Sequence, residues 1–195
     1  MVYRIYSEVI LILRSEAVKA RERAAGMIRK AGVFITPDEE LKIEPVDFGL
    51  GNLNAEGAEI LTMVQTDRIS VKLLVLFPNQ TEPEHWHPPV GKDPGKEETV
   101  RVVWGTVHFY VDGPDTLVKG FVPKGKEGVY TLRHELILKS GDQLSFRPGE
   151  KHWFQGGSEG AVLYSFSSVA RDVLDGFTDP RIDRVTKIEE DSIAK

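Results

Sequence analysis

Three histidines and one glutamate are spaced as metal ligands along the middle of the chain. His85 and His87 are separated by one residue, Glu98 opens a later strand-like segment, and His152 follows a Pro-Gly turn. Because alternate residues of a β-strand point to the same face, we expect the two imidazoles of the His-x-His pair to face one direction. Neutral imidazoles with a carboxylate suit Mn²⁺, Fe²⁺, Ni²⁺, Co²⁺ or Zn²⁺. The spacing therefore predicts a site for a divalent metal.

The order of these residues makes a chance arrangement a poor explanation. Histidines in strands are often structural, and a single His-x-His pair is a weak indication. However, the 195 residues contain five histidines, and three of them occupy these positions. Glu98 is followed after six residues by Gly105, and the Pro148-Gly149 turn is followed after two residues by His152. Three matching spacings in one order indicate a built site.

The chain from residue 48 onward has the pattern of an antiparallel β-structure. Short apolar segments alternate with Gly- and Pro-containing turns, and no helical pattern lies between them. This pattern is typical of a sandwich or barrel. The strands are predicted at 60–66, 70–77, 99–103, 106–111, 129–138, 143–147 and 161–168.

Residues 1–47 are expected to form a helical extension that covers the barrel. A helix is predicted over 16–30, with Ser15 as its N-cap and Gly32 at its end. Thr36 starts a second, short helix with a capping-box pattern. Residues 48–195 are expected to form the barrel with a C-terminal tail that wraps over it or frays, so that the chain is a single structural unit.

Composition excludes several functional classes. The net charge of −5 gives no indication of a nucleic-acid partner. The absence of cysteine excludes disulfides and thiolate ligands and is compatible with a cytoplasmic protein. No apolar run approaches the ~18 residues that span a bilayer, so we expect no membrane partner. The apolar segment at 9–13 is too short for a signal peptide.

The two histidine segments resemble the paired motifs of the cupin superfamily. The first family motif contains His-x-His, then Glu, then Gly six residues later, and the second contains Pro-x-Gly and a His. Ten residues separate His87 from Glu98 here, whereas the family motif has three or four. The resemblance implies an all-β cupin jelly roll (a double-stranded β-helix), with the short N-terminal helices packed on the barrel.

Longer segments around the motifs resemble the D-lyxose isomerases, a family of cupin-type ketol-isomerases. The resemblance extends from about Leu13 to Asp191, and residues 1–12 look like an extension beyond it. It implies interconversion of D-lyxose and D-xylulose, Mn²⁺ as the usual metal, and a homodimer. The segments are DFGLG at 47–51, EHWHPPV at 84–90, PGKEET at 94–99, HWFQ at 152–155, FTDPR at 177–181 and IEED at 188–191.

The resemblance also assigns roles to individual residues. It implies that the metal ligands are His85, His87, Glu98 and His152, that Glu98 is also catalytic, and that Lys72 contacts the sugar and takes part in catalysis. Strand alternation turns the neighbouring Glu97 to the opposite face. Further substrate-binding candidates are Lys96, His134 and Ser165.

One position departs from the family. Relatives carry Glu before the Phe-Ser-Ser element, where this chain has Ser165, so the proton-transfer base is not identified. The isomerisation can run through a cis-enediol, which needs a base, or through a metal-assisted hydride shift, which does not. The sequence leaves both mechanisms open.

Other functions fit parts of the pattern. A cupin dioxygenase uses the same ligand types, usually with iron. A phosphosugar isomerase would need a cationic cradle, for which Lys92 and Lys96 are available. A non-catalytic sugar-binding module would not need all four ligands. For the expected homodimer, Trp104, Phe109 and Tyr110 are the candidate aromatic surface.

Overall fold

The computed structural model describes residues 11–191, which form two α-helices and eleven β-strands. A 3₁₀ turn at Asp172–Leu174 precedes β10. In chain order the elements are β1 (Ile12–Leu13), α1 (Arg14–Lys30), α2 (Pro37–Leu41), β2 (Glu44–Val46), β3 (Ala58–Gln65), β4 (Ile69–Leu76), β5 (Thr81–Trp86), β6 (Glu98–Val111), β7 (His134–Lys139), β8 (Gln143–Phe146), β9 (His152–Ser168), β10 (Gly176–Phe177) and β11 (Ile188–Glu189).

Nine of the strands form one strongly curved antiparallel sheet. Its main path has the order β10-β5-β9-β4-β3-β2, and β6 joins this path through β9 while also pairing with β7 and β8. The long strands β6 and β9 therefore take part in both halves of the structure. This closure produces the predicted all-β cupin jelly roll, and the fold prediction is confirmed.

Alternation along the strands separates two apolar cores. On β4, Leu74 and Leu76 point into the barrel, whereas Leu73 and Val75 point outward to the helices. The barrel core also contains aromatic side chains from several strands, among them Phe109, Phe146 and Phe154. The outer core holds α1 against the sheet through small residues, which allow close approach: Ala17, Ala20, Ala24 and Ala25. The helices therefore cover one face of the sheet.

The N-terminal helices follow their sequence signals with one correction. Thr36 caps α2 as predicted, since it accepts a hydrogen bond from the Glu39 amide and Glu39 bonds back to the Thr36 amide. Gly32 follows α1 with a positive φ of 79°, where glycine is favoured. Ser15, however, is not the N-cap of α1. Its hydroxyl donates instead to Asp191 at 2.6 Å, so it fastens the C-terminal tail to the helix.

The two strands predicted around Gly105 are one continuous strand, β6. Its register against β9 shifts on both sides of Gly105, which has a φ of 84°. A Cβ atom there would lie 2.1 Å from the Gly160 carbonyl oxygen. Glycine is therefore required at this bend, where one strand passes between the two halves of the barrel.

Two further expectations are wrong. The strand predicted at 129–138 begins only at His134; the preceding segment is a loop held by the buried Tyr130, whose hydroxyl donates to Glu56 at 2.7 Å. Phe109 and Tyr110 do not form an exposed aromatic surface, because both are fully buried. Tyr110 stacks on Trp153 with ring centroids 3.6 Å apart.

The C-terminal tail wraps over the barrel. Its β10 pairs with β5 and aligns Phe177 with His85, and β11 pairs in parallel with β1. Thr178 donates to Glu84 of β5 at 2.7 Å. Gly176 lies so close to Trp86 that a Cβ would approach the indole to 2.3 Å, so only glycine fits at this crossing. Within residues 11–191, no helix is both long enough and apolar enough to span a membrane.

Candidate active site

Three buried histidines converge at one end of the barrel. His85 is on β5, His87 directly follows that strand, and His152 opens β9 opposite His85. One ring nitrogen from each histidine lies within 4.8 Å of the others. The ring of His152 stacks on Phe146 with centroids 3.9 Å apart. The donor set and its convergence fit a divalent transition metal.

The outer nitrogen of each histidine is already occupied. The Nδ1 atom of His85 lies 2.8 Å from the Pro83 carbonyl oxygen, and that of His152 lies 3.0 Å from the Glu150 carbonyl oxygen. A carbonyl oxygen can only accept, so both Nδ1 atoms carry the proton. The Nδ1 of His87 lies 2.9 Å from Asp175. The Nε2 atoms of His85 and His152 are thereby left for a metal, that of His87 faces Glu98, and all three rings have orienting partners behind them.

The fourth predicted ligand, Glu98, lies next to the histidines. One carboxylate oxygen, Oε2, is 3.0 Å from His87 Nε2 and 3.1 Å from the Lys96 ammonium. The other, Oε1, accepts a hydrogen bond from Ser165. The structure therefore brings His85, His87, Glu98 and His152 together, although the three histidines alone form the tight cluster. Glu97 is exposed, as strand alternation predicted.

Two lysines project into the adjoining cavity. Lys72 is buried on β4, on the same face as Leu74, and its ammonium is paired with Asp172. Lys96 is also buried and lies 3.9 Å from the same aspartate. Ser165 is directly opposite Lys72 across the β4–β9 pair. Of the predicted substrate-binding residues, Lys72, Lys96 and Ser165 therefore line one cavity with Glu98.

The structure does not bring His134 to this site, and its predicted substrate-binding role needs correction. His134 pairs with Val111 at the end of β6, and it is not among the residues that line the cavity with Glu98. Its Nδ1 atom lies 3.1 Å from the Thr116 hydroxyl and 3.2 Å from the Pro114 carbonyl oxygen. These contacts attach the ring to the 114–116 segment and give it a structural role there.

Four charged residues of the cavity were missed by the sequence analysis. Three come from the C-terminal tail, which was expected only to wrap or fray: Asp172, Asp175 and Arg184. Arg184 lies 3.6 Å from Asp172 and 3.1 Å from Glu44. The fourth is Glu82 on β5. No local spacing marks the tail residues; Asp175 is 88 positions from the histidine it contacts.

Burial and ion pairing set the charges of the site. Burial, and then the neighbouring His87, lowers the pKa of His85 to about 4. Burial, and then His85, lowers the pKa of His152 well below its usual value. Both rings are therefore neutral at neutral pH, as metal ligands must be. Burial opposes charge on His87 as well, but Asp175 and Glu98 outweigh it and raise the pKa of His87.

Burial and ion pairing also set the pKa values of Glu98, Lys96 and Glu82. Burial disfavours the charged form of Glu98, yet Lys96 and then His87 hold its pKa well below the usual range. Burial likewise opposes charge on Lys96, but Glu98 and Asp175 raise the pKa of the ammonium. In contrast, burial and then Glu98 raise the pKa of Glu82 to about 7. The cavity thus combines a carboxylate and an ammonium that stabilise each other's charge with a carboxyl group, Glu82, whose pKa lies near neutral pH.

Removing the charge behind His87 is expected to weaken metal binding. Asp175→Asn keeps the shape of the side chain but replaces the carboxylate at 2.9 Å from His87 Nδ1 by a neutral amide. Loss of such orienting partners typically costs ~10–100-fold in metal affinity. We expect a decrease of that size in isothermal titration of the metal-free protein with Mn²⁺. Asp183→Asn, an exposed tail substitution, is the control, and equal affinities in the two variants would contradict the prediction.

Comparisons with known proteins identify relatives along nearly the whole chain. The chain is 53% identical over 174 residues to a D-lyxose ketol-isomerase of Cohnella laeviribosi, covering 89% of this chain and 96% of the relative. It is 46% identical over 181 residues to a D-lyxose/D-mannose isomerase of Thermosediminibacter oceani, covering 92% and 100% of the two chains. No protein-family model matches the chain.

A solved structure supports the architecture. The L-ribose isomerase of Cellulomonas parahominis superposes with a TM-score of 0.75 at 18% identity, covering 93% of this chain and 100% of the other. At that identity the likeness shows the fold. The two curated relatives carry the assignment, since both match nearly along their full length. The chain therefore belongs to the D-lyxose ketol-isomerase family and is an isomerase.

Proposed function

We propose that the protein is a metal-dependent aldose–ketose isomerase that interconverts D-lyxose and D-xylulose. The observation that carries the proposal is the cluster of three histidine rings and Glu98 beside a cavity with two buried lysines. The names of the relatives at 53% and 46% identity support the sugar. Among divalent metals we propose Mn²⁺, with Co²⁺, Ni²⁺, Fe²⁺ and Zn²⁺ as alternatives compatible with nitrogen and oxygen donors.

The metal would be held by His85, His87, Glu98 and His152. Their ring nitrogens converge within 4.8 Å, and the carboxylate is 3.0 Å from one of them. A bound divalent ion supplies Lewis-acid polarisation of sugar oxygens. The surrounding hydrogen bonds hold the ligands in place before the sugar arrives, which limits the reorganisation needed during the reaction.

The remaining residues act on the sugar. Isomerisation moves a hydrogen between C1 and C2 and develops negative charge on O1 and O2. Lys96 and Lys72 are buried cations at the edge of the ligand cluster. Fixed charges in a dry site stabilise developing oxyanions more strongly than water does. Asp172 holds both ammonium groups in place, through its ion pair with Lys72 and its 3.9 Å approach to Lys96.

A panel of sugars tests the reaction. Metal-free protein reloaded with Mn²⁺ should convert D-lyxose to D-xylulose, with D-mannose and L-ribose as parallel substrates and products identified by chromatography. D-lyxose should give the highest kcat/KM. A protein that carries the metal but converts no aldose to its ketose would contradict the proposal. Oxygen consumption after Fe²⁺ loading would instead favour a dioxygenase.

We also propose that the protein is a cytoplasmic homodimer. An apolar surface near the ends of the strands supports dimerisation: Ile69 is 51% exposed and Phe166 is 42% exposed. These side chains lie on the sheet face that α1 covers elsewhere, since Val71 pairs with Phe166 and shares the face of Ile69. Light scattering at micromolar concentration should give twice the monomer mass. A monomer mass would contradict the dimer.

A further inference from the structure

The strand that carries the first ligands has an irregular register. Glu82 pairs with Phe154 of β9, and His85 pairs with His152, so three steps along β5 match two steps along β9. In a regular strand, residues three apart point to opposite faces. The extra residue forms a β-bulge, which turns Glu82 to the same interior face as His85. Bulges of this kind often re-aim a side chain at an active site.

The carboxyl group of Glu82 lies beside the histidine cluster, but one of its oxygens makes no hydrogen bond to the surrounding residues that the structure describes. Its Oε1 atom is 4.0 Å from Nε2 of His85, the nitrogen left for a metal, and the side chain is 12% exposed. Its Oε2 atom is buried and has no hydrogen-bond partner among residues 11–191. A buried oxygen without a partner reduces stability. Such local costs are expected at functional sites.

The other acidic groups of the cavity are engaged by protein partners. Glu98 contacts His87 and Lys96, and it accepts from Ser165. Asp172 is paired with Lys72, and Asp175 with His87. The Ser165 hydroxyl donates its hydrogen bond to Glu98, and an un-ionised hydroxyl group that is engaged in this way does not act as the base. Glu82 therefore presents the carboxyl oxygen that faces the cavity without a described protein partner.

We propose that Glu82 is the catalytic residue that carries the proton between C2 and C1 of the sugar. This inference rests on the proposed isomerase function and assigns its base. The bulge places the carboxyl group on the interior face, next to the ligand nitrogen of His85, where the reacting carbons of a bound sugar must lie close to the metal ligands.

The proton transfer balances within the sugar and one carboxyl group. The Glu82 carboxylate takes the proton from C2, and the electrons of the broken C2–H bond form the C1=C2 bond of a cis-enediol as O1 is protonated. Glu82 then returns its proton to C1 while the O2–H bond breaks and C2=O2 forms. One hydroxyl proton passes in net from O2 to the neighbouring O1, and Glu82 is regenerated.

The test compares Glu82→Gln with Glu97→Gln, which removes the charge of an exposed neighbour of the site. Both variants and the wild type are loaded with Mn²⁺, and metal content, folding and conversion of D-lyxose are measured for each. We expect Glu82→Gln to keep the metal and the fold but to lose ~10²–10⁴-fold in kcat. Glu97→Gln should keep wild-type kcat. In D₂O, deuterium on C1 of D-xylulose made by the wild type would exclude a hydride shift, because a proton held by a carboxyl group can exchange with solvent before it is returned.

Each other outcome has a definite meaning. A Glu82→Gln variant that keeps the metal and retains kcat within about threefold overturns the proposal while leaving the isomerase function intact. A variant that loses its metal shows that Glu82 belongs to the metal site and also overturns it. No turnover by the wild type refutes the isomerase function and this inference together.

Discussion

His152→Ala is expected to abolish both metal binding and turnover. His152 is buried and supplies one of the three clustered ring nitrogens, so the substitution removes one nitrogen donor of the site. A metal that polarises a sugar oxygen contributes several kcal/mol to transition-state stabilisation. Since each 1.36 kcal/mol is a factor of ten, we expect kcat/KM to decrease by at least ~10³-fold. Metal analysis after dialysis and initial-rate measurements check the two effects.

His134→Ala is the matched control for this substitution. It also removes a histidine from a strand, but one whose ring contacts Thr116 and Pro114 and does not line the cavity. We expect metal content and turnover to remain at wild-type levels. If His152→Ala retained stoichiometric metal and normal turnover, the three-histidine cluster would not be the catalytic metal site. Loss of metal in His134→Ala alone would instead show that His134 belongs to the metal site.

Lys72→Met is expected to keep the metal and lose most of the activity. Methionine fills similar space, and Asp172 retains Arg184 at 3.6 Å and Lys96 at 3.9 Å, so the neighbouring charge is not left isolated. The ammonium is proposed to stabilise charge on the sugar oxygens. Loss of one such group typically costs ~10²–10³-fold in kcat. Rates with D-lyxose, metal content and thermal unfolding should be measured on the same preparation.

An exposed lysine provides the control for Lys72. Lys92 lies in the loop before Lys96 and is exposed, so Lys92→Met changes net charge equally without entering the cavity. Its kcat should equal that of the wild type. Equal activity of Lys72→Met and Lys92→Met would exclude a role for Lys72 in the reaction. Loss of metal from Lys72→Met would place that residue in the support of the metal site instead.

Part of the candidate metal site was predictable because the spacing of the His-x-His pair is local to one strand. His85 and His87 are two residues apart at the end of one strand, and the turn before His152 brings the next strand beside it. The resemblance and the spacing to Gly105 indicated Glu98, and period-two alternation then predicted that Glu97 faces outward. Strand geometry therefore gave the orientations, whereas the resemblance supplied the ligand set. For His134, alternation gave a face but not the partners of the ring, which are Thr116 and Pro114 rather than residues of the cavity.

The remainder of the site depends on tertiary structure that no local pattern encodes. Asp172 and Asp175 reach the cavity because β10 pairs with β5, a contact between distant segments. Glu82 faces inward because a bulge reverses the orientation that regular alternation predicts. Tertiary contacts also limited what could be predicted of the fold. The alanine-rich stripe of α1 predicted its buried face. The segment before His134, in contrast, has strand-like residues but is held as a loop by Tyr130.

Titration of the metal-free protein with Mn²⁺, followed by the rate of D-xylulose formation from D-lyxose, tests the metal-dependent isomerase most directly. We predict no turnover without metal, a linear increase in rate as metal is added, and a plateau at one ion per chain. Addition of a chelator should return the rate to zero. Full activity of the metal-free protein, or saturation with metal without any D-xylulose, would contradict the proposed function.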